Sequence, residues 1–298
     1  MKSILGVSRG PFLLLPITLI VSGVAASAYD AQTAIAPLPA ILALIGLVAL
    51  HIGVNSLNEA GDMRSGIDLH TTRTPFSGGS GTLPAGGLSI RAAMIWGLFT
   101  TAIGLAIGVW FLFQVGWPLL PIVLLGGFAV LAYTPLLLKI GVGEIFAGLG
   151  LGGLPVLGAS LVQDSQIGAA TIAACIPAFF MTFNLLLLNE FPDEGPDRAG
   201  GRRHLVILMG RRGAALVYAL AVFGVVASIV VAVALQVLPV VALVALLPTF
   251  AAVPAVRWAL SRPREPVPMP ALGGNVIWNL ATNLLMGGAL GLAVWQGW

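Results

Sequence analysis

The chain has 298 residues, of which 58% are hydrophobic and only 8% charged, with a net charge of +3. A soluble domain carries about 25% charged residues, so this composition excludes a water-soluble globular protein, as does a mean hydropathy of +1.01. A single cysteine, Cys175, excludes an internal disulfide and falls within an apolar run, where a small buried residue is expected.

Apolar runs near 20 residues are the mark of membrane helices. In chain order they are Pro11–Ala28, Pro37–Leu57, Ser89–Phe113, Trp117–Leu138, Gly143–Val162, Gly168–Leu188, Gly213–Leu235, Pro239–Ala259 and Gly273–Trp295. They predict an all-α, multi-pass membrane protein with nine transmembrane helices in one integral membrane domain over residues 1–298. The first run resembles a signal peptide, with Lys2 and Arg9 before it and Ala26-Ser27-Ala28 at its end. Because a series of spans follows, it reads as a retained first helix. Glycines such as Gly104, Gly108, Gly148, Gly150, Gly152 and Gly153 suit the close approach of helices in lipid.

All 14 Lys and Arg residues lie before the first span or in alternate connections. These are Lys2 and Arg9; Arg64, Arg73 and Arg91; Lys139; Arg198, Arg202, Arg203, Arg211 and Arg212; and Arg257, Arg262 and Arg264. The opposite connections, around Asp30, Gln114, Asp164 and Gln236, have none. By the positive-inside rule the N-terminus is cytoplasmic and the C-terminus is outside. The expected location is the cell's inner or plasma membrane, with any site at the basic ends facing the cytoplasm.

Seven of the 11 acidic residues fall into two clusters on that same side. The first, Asn58-Glu59-Ala60-Gly61-Asp62-Met63-Arg64-Ser65-Gly66-Ile67-Asp68, follows the second run. The second, Asn189-Glu190-Phe191-Pro192-Asp193-Glu194-Gly195-Pro196-Asp197, follows the sixth. Crowding like charges costs energy unless something positive sits among them. Asn58 and Asp62 share a helical face, and Gly66 permits a turn that returns Asp68 toward them. Asp193 and Asp197 have the same spacing, although Pro196 between them predicts a kinked or broken helix. Carboxylates with an Asn amide are hard oxygen ligands, suited to Mg²⁺ carrying a diphosphate, and Arg64, Arg73, Arg198 and Arg202 are available to neutralise the remaining oxygens. The Gly/Ser/Thr-rich connection Thr74-Pro75-Phe76-Ser77-Gly78-Gly79-Ser80-Gly81 suits a phosphate-contacting lid, or a plain linker. Histidines His51, His70 and His204 with one Cys make no zinc pattern, and no Walker sequence, nucleophile elbow or nucleic-acid module is present.

These paired motifs after the second and sixth of nine helices resemble the UbiA superfamily of intramembrane aromatic prenyltransferases. Gly66-Ile67-Asp68, the Asn189-to-Asp193 run, Tyr133-Thr134-Pro135 with Gly143-Glu144, and Gly153-Leu154-Pro155-Val156-Leu157-Gly158 are most similar to the 1,4-dihydroxy-2-naphthoate prenyltransferase branch. The resemblance implies Mg²⁺-dependent ionisation of an isoprenyl diphosphate and attack on the allylic cation by an electron-rich aromatic ring, as in quinone biosynthesis. It implies Asn58, Glu59, Asp62, Asp68, Asn189, Asp193 and Asp197 as metal ligands. Asn58 and the four named arginines would contact diphosphate, with Arg202 in the place of a common family Lys. Asp62, Asp193 and Tyr133 would be catalytic, Tyr133 near the cation or the acceptor. Glu59 stands where Asp is usual, and Pro196 is also a departure from the pattern. Phe146, Phe179, Phe180 and Phe183 are candidates to line a channel for the isoprenoid tail. A transporter would place its charges near the midplane within broken helices, whereas these lie at span ends. A lipid-binding member without catalysis is the other alternative; Asp62, Asp68, Asp193 and Asp197 argue against it.

Overall fold

The computed structural model describes residues 2–297, and among them every regular element is helical. A short α1 (Lys2–Val7) and a 3₁₀ turn (Gly10–Leu13) lead into α2 (Leu14–Ala31). There follow α3 (Pro37–Ser65), the one-turn α4 (Ile67–His70) and α5 (Ile90–Val115). Next come α6 (Leu120–Ala132), α7 (Leu138–Ile140), α8 (Gly143–Gly148) and α9 (Leu154–Asp164). The last are α10 (Ala169–Ala199), α11 (Leu205–Ala234), α12 (Thr249–Ser261) and α13 (Met269–Gln296).

Among the described residues, 8 helices or helix runs are long and apolar enough to span a membrane. A pair of helices bent by 47°, Val240–Leu246 with Thr249–Ser261, stands in the place of the eighth predicted run and makes a ninth span if it crosses as one. Two spans are composite. Each passes through a π-helical stretch, Tyr133–Leu137 between α6 and α7 and Leu149–Gly153 between α8 and α9. Such insertions collect at functional sites, and the first one presents Tyr133. The seventh predicted run starts too late. Its helix begins at Leu205 and carries a break at Gly210, whose φ of 71° and ψ of 162° are not helical.

The helices pack as the glycine pattern predicts. A Cβ at Gly104 would lie 2.8 Å from the Gly46 carbonyl on α3, and one at Gly148 would lie 2.8 Å from the Phe179 ring on α10. The largest continuous core joins α2, α10, α11, α12 and α13 around Met181, Phe191, Tyr218 and Trp278. Phe179 meets Phe180 edge-on at 5.3 Å and lies 6.2 Å from Phe183, while Phe146 packs edge-on against Phe128 at 5.7 Å and lines a small cavity with Tyr133.

One sequence expectation is overturned. Helix α10 runs unbroken through Pro192 and Pro196 to Ala199. Each proline removes one N–H and leaves the Leu188 or Pro192 carbonyl without its donor four residues on, a loss that a packed membrane helix tolerates. Arg211 on α11 braces the same stretch: it donates from Nη1 to the Phe191 carbonyl at 3.0 Å, and its guanidinium lies 5.2 Å from the Phe191 ring centroid.

A candidate diphosphate site at the end of the bundle

Helix α3 extends past its apolar run and carries Asn58, Glu59 and Asp62 in its last turns, all buried. It ends at Gly66, whose φ of 83° is the left-handed cap that glycine adopts without strain. That turn starts α4 and brings Asp68, 3% exposed, back beside the cluster. Opposite, the uninterrupted α10 presents Asn189, Glu190, Asp193 and Asp197. Asn58, Asp62, Asp68, Asn189, Glu190, Asp193, Asp197 and Tyr133 line one cavity of about 150 Å³.

Two arginines hold the acids in place. Arg202 donates from Nη1 to Asp197 at 2.9 Å and from Nη2 to Asp62, so it bridges the two sets. Burial alone would lower its pKa, but Asp62 and Asp197 outweigh that and raise it, leaving the guanidinium permanently charged. Arg9, just ahead of α2, donates from Nε to Glu59 at 2.8 Å and from Nη2 to the Asn58 Oδ1 at 3.3 Å. It too is raised, against burial, by Glu59 first and then by Asp62 and Asp68. Asp68 behaves oppositely: burial, then Asp62 and Glu59, push its carboxyl up to about 7.

The Gly/Ser/Thr connection lies over the cavity. Thr74 Oγ1 accepts from the backbone N–H groups of Phe76 and Ser77 at 3.1 and 2.9 Å, which sets a tight turn. Gly78 N then donates to Asp193 at 3.1 Å. Ser80 donates to Glu59 from its backbone N at 2.8 Å and from its hydroxyl at 2.7 Å. The loop thus touches both acidic sets at once.

The expected residues do not all converge. Glu59 does not line the cavity; its oxygens are taken by Arg9 and Ser80, so its longer side chain serves the lid. Arg64 is exposed and belongs to a neighbouring pocket with Lys139. Arg198 is exposed and pairs with Glu194 at 3.1 Å. Arg73 is exposed and outside the cavity lining; it donates from Nη2 to the Asp68 backbone carbonyl at 3.4 Å. Arg9 enters in their stead. Sequence reading places it among the residues ahead of the first span, and its basic charge was the only signal for it. His204 is also new: its Nε2 lies 3.4 Å from Asp197 and its Nδ1 3.9 Å from Glu190.

Five buried side-chain oxygens around the cavity have no hydrogen-bond partner: Asp68 Oδ2, Asn189 Oδ1, Glu190 Oε2, Asp193 Oδ1 and Asp197 Oδ2. An unpartnered buried carboxylate oxygen is costly, and hard cations seek this donor set. Among the described residues, no three His, Cys, Asp or Glu side chains already converge on a single ion position. The donor set therefore fits an ion that takes most of its ligands from substrate oxygens and water, as Mg²⁺ does.

A polytopic helical bundle with two acid–amide arrays and two arginines around one cavity at its end defines an integral membrane protein. The chain belongs to the UbiA prenyltransferase family, which it matches over residues 16–296. It is similar to the 1,4-dihydroxy-2-naphthoate octaprenyltransferase of Bacillus subtilis (strain 168), with 28% identity over 180 residues. That match covers 57% of this chain and spans about half of the relative, 55% of its length. In fold it is similar to the apo form of a UbiA homolog from Aeropyrum pernix K1, with a TM-score of 0.68 and 17% identity over 94% of this chain and 96% of that one. It is equally similar, at a TM-score of 0.68 and 15% identity, to a UbiA homolog from Archaeoglobus fulgidus bound to GPP and Mg²⁺, covering 98% of this chain and 99% of that one.

Proposed function

We propose that this protein transfers an isoprenyl group from an isoprenyl diphosphate to a hydroxylated aromatic acceptor, within the membrane and with Mg²⁺. The observation that carries the reading is the single cavity between α3–α4 and α10, with its unpartnered oxygens and the arginine that bridges the two acid sets.

Asp68, Asn189, Asp193 and Asp197 would hold Mg²⁺, joined by Asn58 and Asp62 as Arg9 and Arg202 turn toward phosphate oxygens. The chemistry that Mg²⁺ supplies there is neutralisation of charge on the leaving diphosphate. The arginines add fixed positive charge for the same oxygens. The lid, through Gly78 and Ser80, excludes water from the bond that breaks. The C1–O bond of the isoprenyl diphosphate breaks with its electron pair leaving on diphosphate. A ring carbon of the acceptor then gives its π pair to C1, and the ring regains aromaticity by losing a proton from that carbon, or CO₂ where that carbon bears a carboxylate, with the bonding pair returning to the ring. The Tyr133 ring, which lines the same cavity, would stabilise the developing cation.

The Bacillus subtilis relative's name makes 1,4-dihydroxy-2-naphthoate the acceptor we favour, which would place the protein in menaquinone-type quinone synthesis. The cavity mouth would face the cytoplasm, on the side where the basic residues collect. The experiment is prenyl transfer by the purified protein in detergent with geranylgeranyl diphosphate. Dihydroxynaphthoate, 4-hydroxybenzoate and homogentisate would be offered, with and without Mg²⁺. Mg²⁺-dependent product from dihydroxynaphthoate alone is expected. Absence of any isoprenyl diphosphate binding or cleavage would overturn the reading.

A further inference from the structure

The polar lining of the cavity extends well below its mouth. On α3, Asp62, Asn58, Asn55 and His51 all line it, at a spacing that keeps one helical face inward. His51 is therefore two turns below Asn58, roughly 10 Å at about 1.5 Å per residue. The cationic donors, Arg9 and Arg202, stand with the acid sets at the mouth. The same cavity has an apolar wall that includes Leu15, Val54, Leu151 and Leu185.

His51 is 3% exposed, and its Nδ1 lies 3.1 Å from the Leu47 carbonyl. A carbonyl oxygen can only accept, so Nδ1 carries the proton, and in the neutral ring Nε2 is left as an acceptor. That Nε2 has no partner. Ordinary packing would leave such an atom bonded. Well below the arginines of the mouth, His51 thus turns an unpartnered lone pair into the cavity.

We propose that His51 is a binding residue for the aromatic acceptor: its Nε2 accepts a hydrogen bond from a ring hydroxyl. The assignment rests on the prenyl-transfer reading of the cavity and adds to it the side chain that selects a hydroxylated ring. A hydroxyl supplies the donor that Nε2 lacks, and a bond to Nε2 fixes the ring below the diphosphate. It also leaves more electron density on the ring carbons that attack. A methyl ether or a hydrocarbon ring would leave Nε2 unpartnered, which discriminates strongly against it.

The test uses the full-length protein in detergent, with 1,4-dihydroxy-2-naphthoate and its methyl ethers as probes. In the wild type labelled with ¹⁵N-histidine, which has 3 histidines, the Nε2 resonance of His51 should move when dihydroxynaphthoate is added and stay when the dimethyl ether is added. His51→Phe, which keeps a ring but removes the lone pair, should raise the KM for the acceptor about tenfold, the loss of one good hydrogen bond. It should leave the KM for isoprenyl diphosphate within about twofold and abolish the preference for hydroxyl over ether. An unmoved Nε2 resonance overturns the proposal, as does wild-type discrimination retained in His51→Phe. Equal losses for both substrates would make His51 merely structural. Isoprenyl diphosphate binding with Mg²⁺, measured separately by calorimetry, reports on the prenyl-transfer reading, so the two can fail independently.

Discussion

Arg202 ties Asp62 of α3 to the far acid set: one terminal nitrogen binds Asp62, 140 residues away in sequence, while the other binds Asp197 at 2.9 Å. The side chain is 15% exposed, and those of Asp62 and Asp197 are 6% and 1% exposed. Removing one partner from a buried charge network strands the others, at roughly 3–5 kcal/mol. Arg202→Met should therefore lower thermal stability in detergent sharply, and Mg²⁺ with diphosphate should recover part of the loss by neutralising the same carboxylates. Arg202→Lys keeps the charge but not the two-pronged geometry. It should fold, with kcat/KM for isoprenyl diphosphate down by about tenfold or more, one hydrogen-bonded ion pair's worth. Melting curves with and without Mg²⁺ check the first expectation and steady-state kinetics the second. A Met variant as stable as wild type would mean that the bridge carries little load.

The lid offers a controlled comparison. Gly79 and Gly86 both have positive φ, 71° and 72°, so an alanine at either carries similar backbone strain, about 1 kcal/mol. They differ in what the new methyl meets. At Gly86 nothing lies within 4 Å, whereas at Gly79 the Cβ would stand 2.9 Å from Asp68 Oδ1 and 3.3 Å from Glu59 Oε1. Gly79→Ala should thus cost most of the turnover while Gly86→Ala keeps it, with similar melting temperatures for both. Equal activities would show that the lid need not close on Asp68 and Glu59.

Much of this site is legible in the sequence because its logic is local. The face shared by Asn58 and Asp62, the glycine turn before Asp68 and the spacing of Asp193 and Asp197 follow from helix geometry alone. Long-range pairing is what sequence conceals. Arg9 reaches Glu59 across 50 residues, and nothing near Arg9 announces it. Local rules also misjudge α10, where Pro192 and Pro196 ought to break a helix in water, yet it runs on to Ala199, packed along α11. Arg64 and Arg198 have the right charge at the right end of the bundle, yet their helical faces point elsewhere.

Asp68 makes metal binding sensitive to pH. Its carboxyl is held up at about 7 by burial and by Asp62 and Glu59, against roughly 3.9 in an unfolded chain. A raised carboxyl pKa means that the folded, metal-free protein prefers the protonated form. Its contribution to stability is therefore most favourable at low pH and worsens as pH rises from about 4 through 7. Mg²⁺ takes the ionised form and must displace that proton below neutrality. Metal affinity should rise with pH up to about 7 and then level off. Asp68→Asn should bind Mg²⁺ weakly at every pH and lose the corresponding slope in melting temperature. Calorimetric titrations of both proteins between about pH 5.5 and 8 measure this, and a wild-type affinity independent of pH would sink it.

The membrane orientation follows from where charge sits in the completed bundle. Counting the bent pair of Val240–Leu246 and Thr249–Ser261 as one crossing gives 9 spans, and an odd number puts the two ends of the chain on opposite sides. Arg9 and Arg202 lie at the same end of the bundle as the acid clusters. With the other basic residues confined to that end, each charge moved to the far side would oppose the bias that sets topology. The N-terminus and the cavity mouth should therefore face the cytoplasm, with the C-terminus outside. An alkaline phosphatase fusion after Gln296 should be active, and one within the Gly200–Arg203 connection inactive. If the bent pair instead dips in and returns on one side, the C-terminal fusion would be silent while the loop fusion kept its value. Cysteine labelling at Gln236, which lies on the far side in either arrangement, then separates a re-entrant pair from a wholly inverted protein: only inversion would shield it from an external thiol reagent.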